Sequence, residues 1–158
     1  MCAYTLYKSI FKVKGKSMRK FNGKEYIENT PHTIEELIEI VSILRCPDGC
    51  EWDRAQTHES MIECLKNESQ EVIDAINKKD DENLKEELGD VLLQVLLNAE
   101  VAKERGAFDI NDVVQTLSEK LIRRHPHVFG DTPRPTTPEE SLALWRSIKE
   151  KERLLKNK

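Results

Sequence analysis

The sequence predicts an all-α fold, a helical bundle of about five helices with a four-helix-bundle core. Three observations favour this class. Glycine and proline are scarce, at six residues each, apolar residues recur at the three- and four-residue spacing of a helix, and several periodic segments begin with a helix-capping pattern. A chain of 158 residues is long enough to form one domain with its own apolar core.

The first helix is predicted to start at Thr33, because Thr33 followed by Glu36 forms a capping box. Proline and glycine in residues 46–53 end this helix. Trp52, within that loop, is either a hydrophobic plug or one wall of a ligand pocket. A second helix is predicted over residues 58–76, with Thr57 as a possible cap.

The third helix is predicted to start at Asp80 or Asp81 and to run to Arg105, where Gly106 is a suitable stop. Its middle, residues 91–97, is apolar on nearly every side except at Gln94. A helix that is apolar all round is expected to be buried all round. This segment should therefore lie at the centre of the protein or against a second subunit.

The last two helices are separated by a loop rich in proline and threonine at residues 130–138. Helix four is predicted to begin at Asp109 and to end at His125, because proline follows and disfavours helix in the residue before it. Helix five should have Thr137 as its N-cap and Pro138 at its first position. The highly charged segment from Lys149 is expected to fray.

Residues 1–31 are predicted to form a basic N-terminal extension, and the helical domain is placed at residues 32–158. Lysine and arginine are in excess in the extension, and its apolar residues show little periodicity. Residues 4–13 could form a short strand or an irregular arm that docks loosely. A targeting peptide is the alternative, but a clean apolar stretch and a cleavage signal are missing.

The overall composition restricts the possible partners. Charged residues make up 34% of the chain and the formal net charge is −4, whereas general nucleic-acid binding usually shows as a basic excess. A small anionic ligand held by a local basic cluster remains compatible with this balance. No run of about 18 apolar residues occurs, so no membrane span is expected. We expect a cytoplasmic protein that has neither nucleic acid nor membrane as a partner.

The cysteines are expected to be free thiols, because a disulfide framework is unusual in a chain of this size without a signal peptide. A zinc site is the alternative, since Cys46 and Cys50 have His58 nearby in the sequence. No second pair of ligands is visible, which favours thiols. The four cysteines are Cys2, Cys46, Cys50 and Cys64.

Two pairs of acidic residues give the first indication of function. Glu68 and Glu71 are three residues apart, as are Glu87 and Asp90, and this spacing places each pair on one face of a helix. Fifteen residues separate the pairs, enough for the rest of one helix, a turn and the start of the next. An antiparallel helix pair would bring four carboxylates together, and these repel each other unless a cation lies between them.

A hard divalent cation suits an all-oxygen site, with Mg²⁺ the first choice and Mn²⁺ the second. A di-iron bundle would normally show Glu-x-x-His segments, and neither acidic pair continues into a histidine. From spacing alone, an ordinary bundle with solvated acids remains an equal alternative.

A basic cluster at the end of helix four suggests an anionic ligand. Lys120, Arg123 and Arg124 either complement the helix dipole or form an anion clamp, since the first and last of them are four residues apart and share a face. Bound Mg²⁺ usually keeps open positions for water and phosphate oxygens. Together with a tryptophan for a base, this combination favours a nucleoside polyphosphate and attack of water on a metal-polarised phosphorus.

Several sequence strings together resemble the MazG family of nucleoside triphosphate pyrophosphohydrolases, which belong to an all-α superfamily. The similarity covers roughly residues 34–151. The strings are Gly49-Cys50-Glu51-Trp52-Asp53 with Gln56-Thr57, Asn67-Glu68-x-x-Glu71, Glu86-Glu87-Leu88-Gly89-Asp90, and Lys120-x-x-Arg123-Arg124-His125-Pro126-His127-Val128-Phe129-Gly130.

This resemblance implies Mg²⁺-dependent hydrolysis between the α and β phosphates, which yields a nucleoside monophosphate and pyrophosphate. It also implies a homodimer of interlocked helical bundles. The implied metal ligands, which are also the catalytic residues, are Glu68, Glu71, Glu87 and Asp90. The implied nucleotide contacts are Glu86, Lys120, Arg124, Trp145 and Lys149, to which the basic cluster adds Arg123.

The chain departs from the family pattern at three points. Asn67 stands where the acidic motif usually opens with a glutamate, and an amide can neither act as a base nor carry charge to a second cation. We therefore expect lower activity than the family norm. Glu51 stands where proline is common. The family's frequent methylase-like N-terminal domain is missing, which suggests a stand-alone version.

Overall fold

The computed structural model describes residues 10–13, 16–21, 24–26 and 31–156. The chain divides into two compact units, Met1–Ala107 and Phe108–Lys158, which are described separately. The all-α fold class is confirmed, with five long helices and two short ones in the described part. In chain order the helices are α1 (Ile34–Arg45), α2 (Glu51–Ala55), α3 (Met61–Lys78), α4 (Asp81–Glu104), α5 (Ile110–Arg124), α6 (Pro126–Phe129) and α7 (Pro138–Lys156).

Three short antiparallel strands precede the helices, in the segment predicted to be an extension. They are β1 (Ile10–Val13), β2 (Lys16–Phe21) and β3 (Lys24–Glu25), in the order β1-β2-β3. Strand β1 falls within the predicted strand or arm, whose residues 4–9 lie outside the described residues. Strands β2 and β3 were not predicted, although Asn22-Gly23 between them is a dipeptide favoured in tight hairpins. The boundary of the extension at residue 31 stays a prediction.

Helix α1 begins as predicted. The Glu36 N–H donates to the Thr33 hydroxyl at 3.2 Å, and the Thr33 N–H donates to the Glu36 carboxylate at 3.3 Å. The loop after α1 requires glycine, because a Cβ on Gly49 would lie 2.3 Å from the Leu44 carbonyl oxygen. Helix α2 follows and was missed. Trp52 within it exposes 61% of its surface, so the interpretation as a hydrophobic plug is wrong.

Arg45 joins three elements of the first unit. Its guanidinium donates to both carboxylate oxygens of Glu104, at 2.7 and 2.8 Å, and to the carbonyls of Asp53 and Gln56. A planar guanidinium can satisfy several acceptors in this way. The end of α1 is thereby tied to α2 and to the end of α4.

Helices α3 and α4 form an antiparallel hairpin with a very short turn. Lys79 adopts the left-handed conformation, with φ 56° and ψ 40°, and its N–H caps α3. Asp80 then caps α4 by accepting from the Asn83 N–H at 3.1 Å. The helix itself begins at Asp81, which is one of the two predicted starts. Helix α3 begins at Met61, later than predicted, although the Met61 N–H already donates to the Thr57 carbonyl.

The core of the first unit lies between α4 and its neighbours α1 and α3. Its buried apolar residues include Met61 on α3 and Leu97 on α4, which are both 2% exposed. Residues 91–97 are not buried all round within this unit, because Val95 is exposed. Burial of this segment against a second subunit, the other half of the prediction, stays a prediction.

The second unit contains α5, α6 and α7. Asp109 caps α5 through a capping box with Asp112, and α5 ends at Arg124, one residue before the predicted end. Pro126 then starts the short helix α6, which was not predicted. The Thr137 hydroxyl accepts from the Glu140 N–H at the start of α7.

Helix α7 continues to Lys156, so the expectation that the chain frays from Lys149 is wrong. The physical reason is an anchor on the last turns, where Glu152 forms ion pairs with Arg123 and Arg124 of α5. None of the helices in the described residues combines the length and the apolar character that crossing a membrane requires.

Candidate functional site

The acidic residues lie symmetrically about the turn of the α3–α4 hairpin. Glu71 and Glu87 are each eight residues from Lys79, and Glu68 and Asp90 are each eleven residues away. In an antiparallel helix pair, positions equally far from the turn lie opposite each other. One carboxylate oxygen each of Glu68, Glu71 and Glu87 accordingly lies within 4.8 Å of the other two. Three of the four predicted metal ligands are therefore brought together.

Mutual repulsion marks this cluster of Glu68, Glu71 and Glu87, which we call the carboxylate cluster. Burial raises the pKa of Glu68, and the charges of Asp90 and Glu71 raise it further. Glu87 is 8% exposed, and burial likewise raises its pKa, followed by the charge of Glu71 and a hydrogen bond with it. Glu68 and Glu87 are thus held where their ionised forms are unfavourable.

Asp90 is not part of the carboxylate cluster but lies near it. Its charge contributes to the raised pKa of both Glu68 and Glu87. Glu86, a predicted nucleotide contact, is exposed on α4, and its charge also raises the pKa of Glu87. The negative field around the carboxylate cluster is therefore larger than its three carboxylates alone provide.

The donor set fits a hard divalent cation. It consists of carboxylate oxygens, which Mg²⁺, Mn²⁺ and Ca²⁺ prefer, and a cation among these groups would offset both the burial and the repulsion that raise the pKa of Glu68 and Glu87. The alternative zinc site has no comparable support, because the ring nitrogens of His58 face Asn98 and Arg105, at 2.7 and 3.0 Å.

In the second unit, a cationic groove surrounds Trp145. The guanidinium carbon of Arg124 lies 5.2 Å from the centre of the Trp145 ring, and the Lys149 ammonium lies 5.1 Å from it. Both distances are within the range of a cation–π interaction. The groove has a volume of about 480 Å³ and is lined by Arg124, Trp145, Arg146, Lys149, Glu150, Glu152 and Arg153. Three predicted substrate contacts, Arg124, Trp145 and Lys149, thus come together.

Two other predicted contacts take different places. Arg123 faces Glu152, with its Nε 2.5 Å from the carboxylate, and is not among the groove-lining residues. Lys120 lies half-buried one turn before Arg124 on α5 and does not line the groove either.

Asn67 is exposed on α3, next to the carboxylate cluster in sequence.

The sequence prediction missed Glu152, the residue that holds the basic cluster in place. Its Oε2 accepts from Arg124 Nε at 3.0 Å and from Arg124 Nη2 at 2.7 Å. Hydrogen bonds from Arg124 and Arg123 lower the pKa of this carboxyl to about 2. Trp145, Lys149 and Glu152 are spaced at i, i+4 and i+7, so their shared helix face was the available signal.

The chain is similar to proteins of one family along most of its length. The profile of the MazG nucleotide pyrophosphohydrolase domain matches residues 56–129. The nucleoside triphosphate pyrophosphohydrolase/pyrophosphatase MazG of Thermotoga maritima is 57% identical over 119 residues, which are 75% of this chain and 45% of that protein. The nucleoside triphosphate pyrophosphohydrolase of Escherichia coli K12 is 44% identical over 124 residues, which are 78% of this chain and 47% of that protein.

A solved structure extends the similarity to the fold. The crystal structure of a mazG-related protein from Thermotoga maritima is 34% identical, covers 74% of this chain and 99% of that one, and superposes with a TM-score of 0.61. This chain spans about half the length of the curated relatives described above.

The repulsion within the carboxylate cluster makes Glu87→Gln a test of the site. With a chelator present at pH 7, this variant is expected to melt at a higher temperature than the parent, because one repelling charge is gone. The folded state raises the Glu87 pKa above the ordinary 4.5, so ionisation lowers stability as the pH rises through that raised pKa. The advantage should disappear below about pH 4.5.

Added Mg²⁺ or Mn²⁺ should then raise the melting temperature of the parent more than that of Glu87→Gln, because a ligand that binds the folded state stabilises it. Thermal unfolding followed by circular dichroism measures both effects. Glu82→Gln is the control, since Glu82 is an exposed acid on the same helix. A variant that is less stable than the parent in chelator, or that gains as much from the cation, contradicts the assignment.

Proposed function

Because the chain belongs to the MazG family, we propose that it hydrolyses nucleoside triphosphates between the α and β phosphates, yielding a nucleoside monophosphate and pyrophosphate. One observation carries the proposal: three carboxylates from two helices converge within 4.8 Å, although burial and like charge raise the pKa of two of them, Glu68 and Glu87. Such an arrangement is typical of a cation site. The names of the relatives point to the same reaction.

Glu68, Glu71 and Glu87 are proposed to hold Mg²⁺, with Asp90 as a fourth ligand and Mn²⁺ as a possible substitute. When bound, the cation would polarise phosphate oxygens and neutralise their charge. Asp90 contributes to the negative field in which the cation would bind. The protein's own part is to fix these oxygens on two packed helices, so that little reorganisation is needed when the cation arrives.

The cationic groove is proposed to bind the anionic substrate. Arg124 and Lys149 carry the positive charges, and a guanidinium matches the geometry of phosphate oxygens. Trp145 supplies an aromatic face for the nucleoside. Lys120 and Arg123 add positive charge along α5. Glu86 is proposed as a further nucleotide contact, because the family resemblance implies it.

A homodimer is proposed as the working assembly, as the family resemblance implies. Exposed apolar side chains recur along the α3–α4 hairpin, and a second copy would cover them. They are Ile62, Leu65, Ile73, Ile76, Leu88 and Val95. Exposed apolar surface of this extent is typical of an interface. Sedimentation that finds only monomers at micromolar concentration would contradict the dimer. A cytoplasmic location, with neither nucleic acid nor membrane as a partner, stays a prediction.

A second candidate function is nucleotide binding with weakened or lost catalysis. Asn67 favours it, because an uncharged amide stands where the acidic motif of the family usually has a glutamate. Asn67 adjoins Glu68 on α3, so the change lies beside the carboxylate cluster. The two functions differ in turnover rather than in binding.

A panel of nucleoside triphosphates with Mg²⁺ separates the two functions. We expect release of pyrophosphate and a nucleoside monophosphate, and we expect Glu71→Ala to lower kcat/KM by at least about 100-fold, the upper end for loss of residues that support a metal site. Glu63→Ala, at an exposed position on the same helix, is the control and should retain activity. Tight nucleotide binding without pyrophosphate release supports the second function and contradicts the first.

The role of Asn67 is tested by Asn67→Glu, with Asn67→Gln as an uncharged control. A glutamate restores a negative charge that can accept a proton or attract a second cation, so we expect kcat to rise in Asn67→Glu and not in Asn67→Gln. Steady-state rates over a range of Mg²⁺ concentrations provide the measurement. If several triphosphates turn over at rates that Asn67→Glu does not improve, the expectation of lowered activity is wrong.

A further inference from the structure

Glu152 holds Arg124 by one edge only. Arg124 uses its Nε and Nη2 on Glu152 Oε2, whereas a guanidinium carries five N–H groups in all. Arg123 donates its Nε to the other oxygen, Oε1, so both carboxylate oxygens are engaged. The Arg124 side chain is 14% exposed and that of Glu152 is 16% exposed. This pair is therefore largely shielded from water, unlike most surface ion pairs.

The same contact fixes Arg124 relative to Trp145. The guanidinium is held on one side by Glu152 and lies over the Trp145 ring, 5.2 Å from its centre. The N–H groups of Nη1 and the second N–H of Nη2 are not used on Glu152. An arginine side chain has many rotamers, and fixing one of them before a ligand arrives reduces the entropy lost on binding.

We propose that Glu152 is a positioning residue for phosphate recognition, which orients Arg124 over Trp145 so that its remaining N–H groups bind phosphate oxygens. The proposal rests on the assignment of the cationic groove to the substrate under the proposed function. Glu152 itself does not touch the substrate in this role and acts through Arg124.

Glu152 also has a second effect, which lowers the affinity of the groove for an anion. Its carboxylate carries a negative charge beside the groove, so its removal would strengthen the attraction of the groove for an anion. Glu150 provides a measure of this effect, because it lines the same groove and pairs with Arg153 rather than Arg124. Glu150→Gln and Glu152→Gln remove the same charge, and only the second disturbs the orientation of Arg124.

Binding of inorganic triphosphate tests the proposal without requiring turnover. In a Trp52→Phe background, Trp145 is the sole tryptophan and its fluorescence reports on the groove. Glu152→Gln should raise the Kd about tenfold, the upper end of the ordering cost of one rotamer-rich side chain on binding. Glu150→Gln should bind triphosphate equally well or more tightly. Equal affinity of the two variants, or tighter binding by Glu152→Gln, would overturn the proposal.

A double-mutant cycle shows whether Glu152 acts through Arg124. In an Arg124→Lys background the two N–H contacts from one guanidinium are lost, so Glu152→Gln should have little further effect on the Kd. A full tenfold effect in that background overturns the positioning role. Glu152→Asp keeps the charge but shortens the side chain, and it should weaken binding in the same direction. This variant takes the place of Glu152→Gln if circular dichroism shows that the latter does not fold.

Kinetics separate this inference from the proposed function. With an active parent, Glu152→Gln should raise KM about tenfold and leave kcat nearly unchanged, because Arg124 would bind the ground state and the transition state alike. A purely structural role would instead lower stability and reduce kcat as well. If the parent releases no pyrophosphate from any triphosphate, the proposed function fails, while the binding measurements still decide the role of Glu152.

Discussion

The register of the α3–α4 hairpin is the constraint on which the candidate site depends. Lys79 reverses the chain in a left-handed conformation, and Asp80 starts α4 at once. Apolar packing of Met61 and Leu97 holds the two helices together, while the carboxylates between them repel. Buried apolar residues lie on both helices and the repulsion involves only a few acids, so packing can hold the acids in a position that they would not adopt alone.

Stability and the proposed chemistry therefore make opposite demands on the same helices. A folded state without a cation must carry Glu68 and Glu87 with raised pKa values, which weakens it at neutral pH. Such conflicts with ordinary folding rules concentrate at functional sites. In the second unit Glu152 forms ion pairs with both Arg123 and Arg124, which reduces the repulsion between the two arginines.

Helix caps and the convergence of the acidic residues could be predicted from the sequence, because they depend on local spacing. An ion pair between residues far apart in the chain could not. The caps at Thr33 and Thr137 follow from residues a few positions apart, and the pairing of Glu71 with Glu87 follows from their equal distances to one turn. The partnership of Arg124 with Glu152 joins residues 28 positions apart. Helical spacing places Glu152 on the face of Trp145 and Lys149, but it does not show that Arg124 of another helix lies against that face. For residues 91–97 the sequence left two alternatives, burial within the chain or against a second subunit, because apolar composition does not show what covers each face of a helix.

The turn at Lys79 has a consequence for how the chain can vary in length. Each residue added to or removed from an α-helix turns all later side chains by about 100° about its axis. A single insertion between Lys78 and Asp81 that extended α4 backwards would therefore carry Glu87 and Asp90 away from α3, even with every acid retained. The short segment between the helices is thus constrained in its number of residues, whereas the Lys78 side chain is exposed and open to exchange.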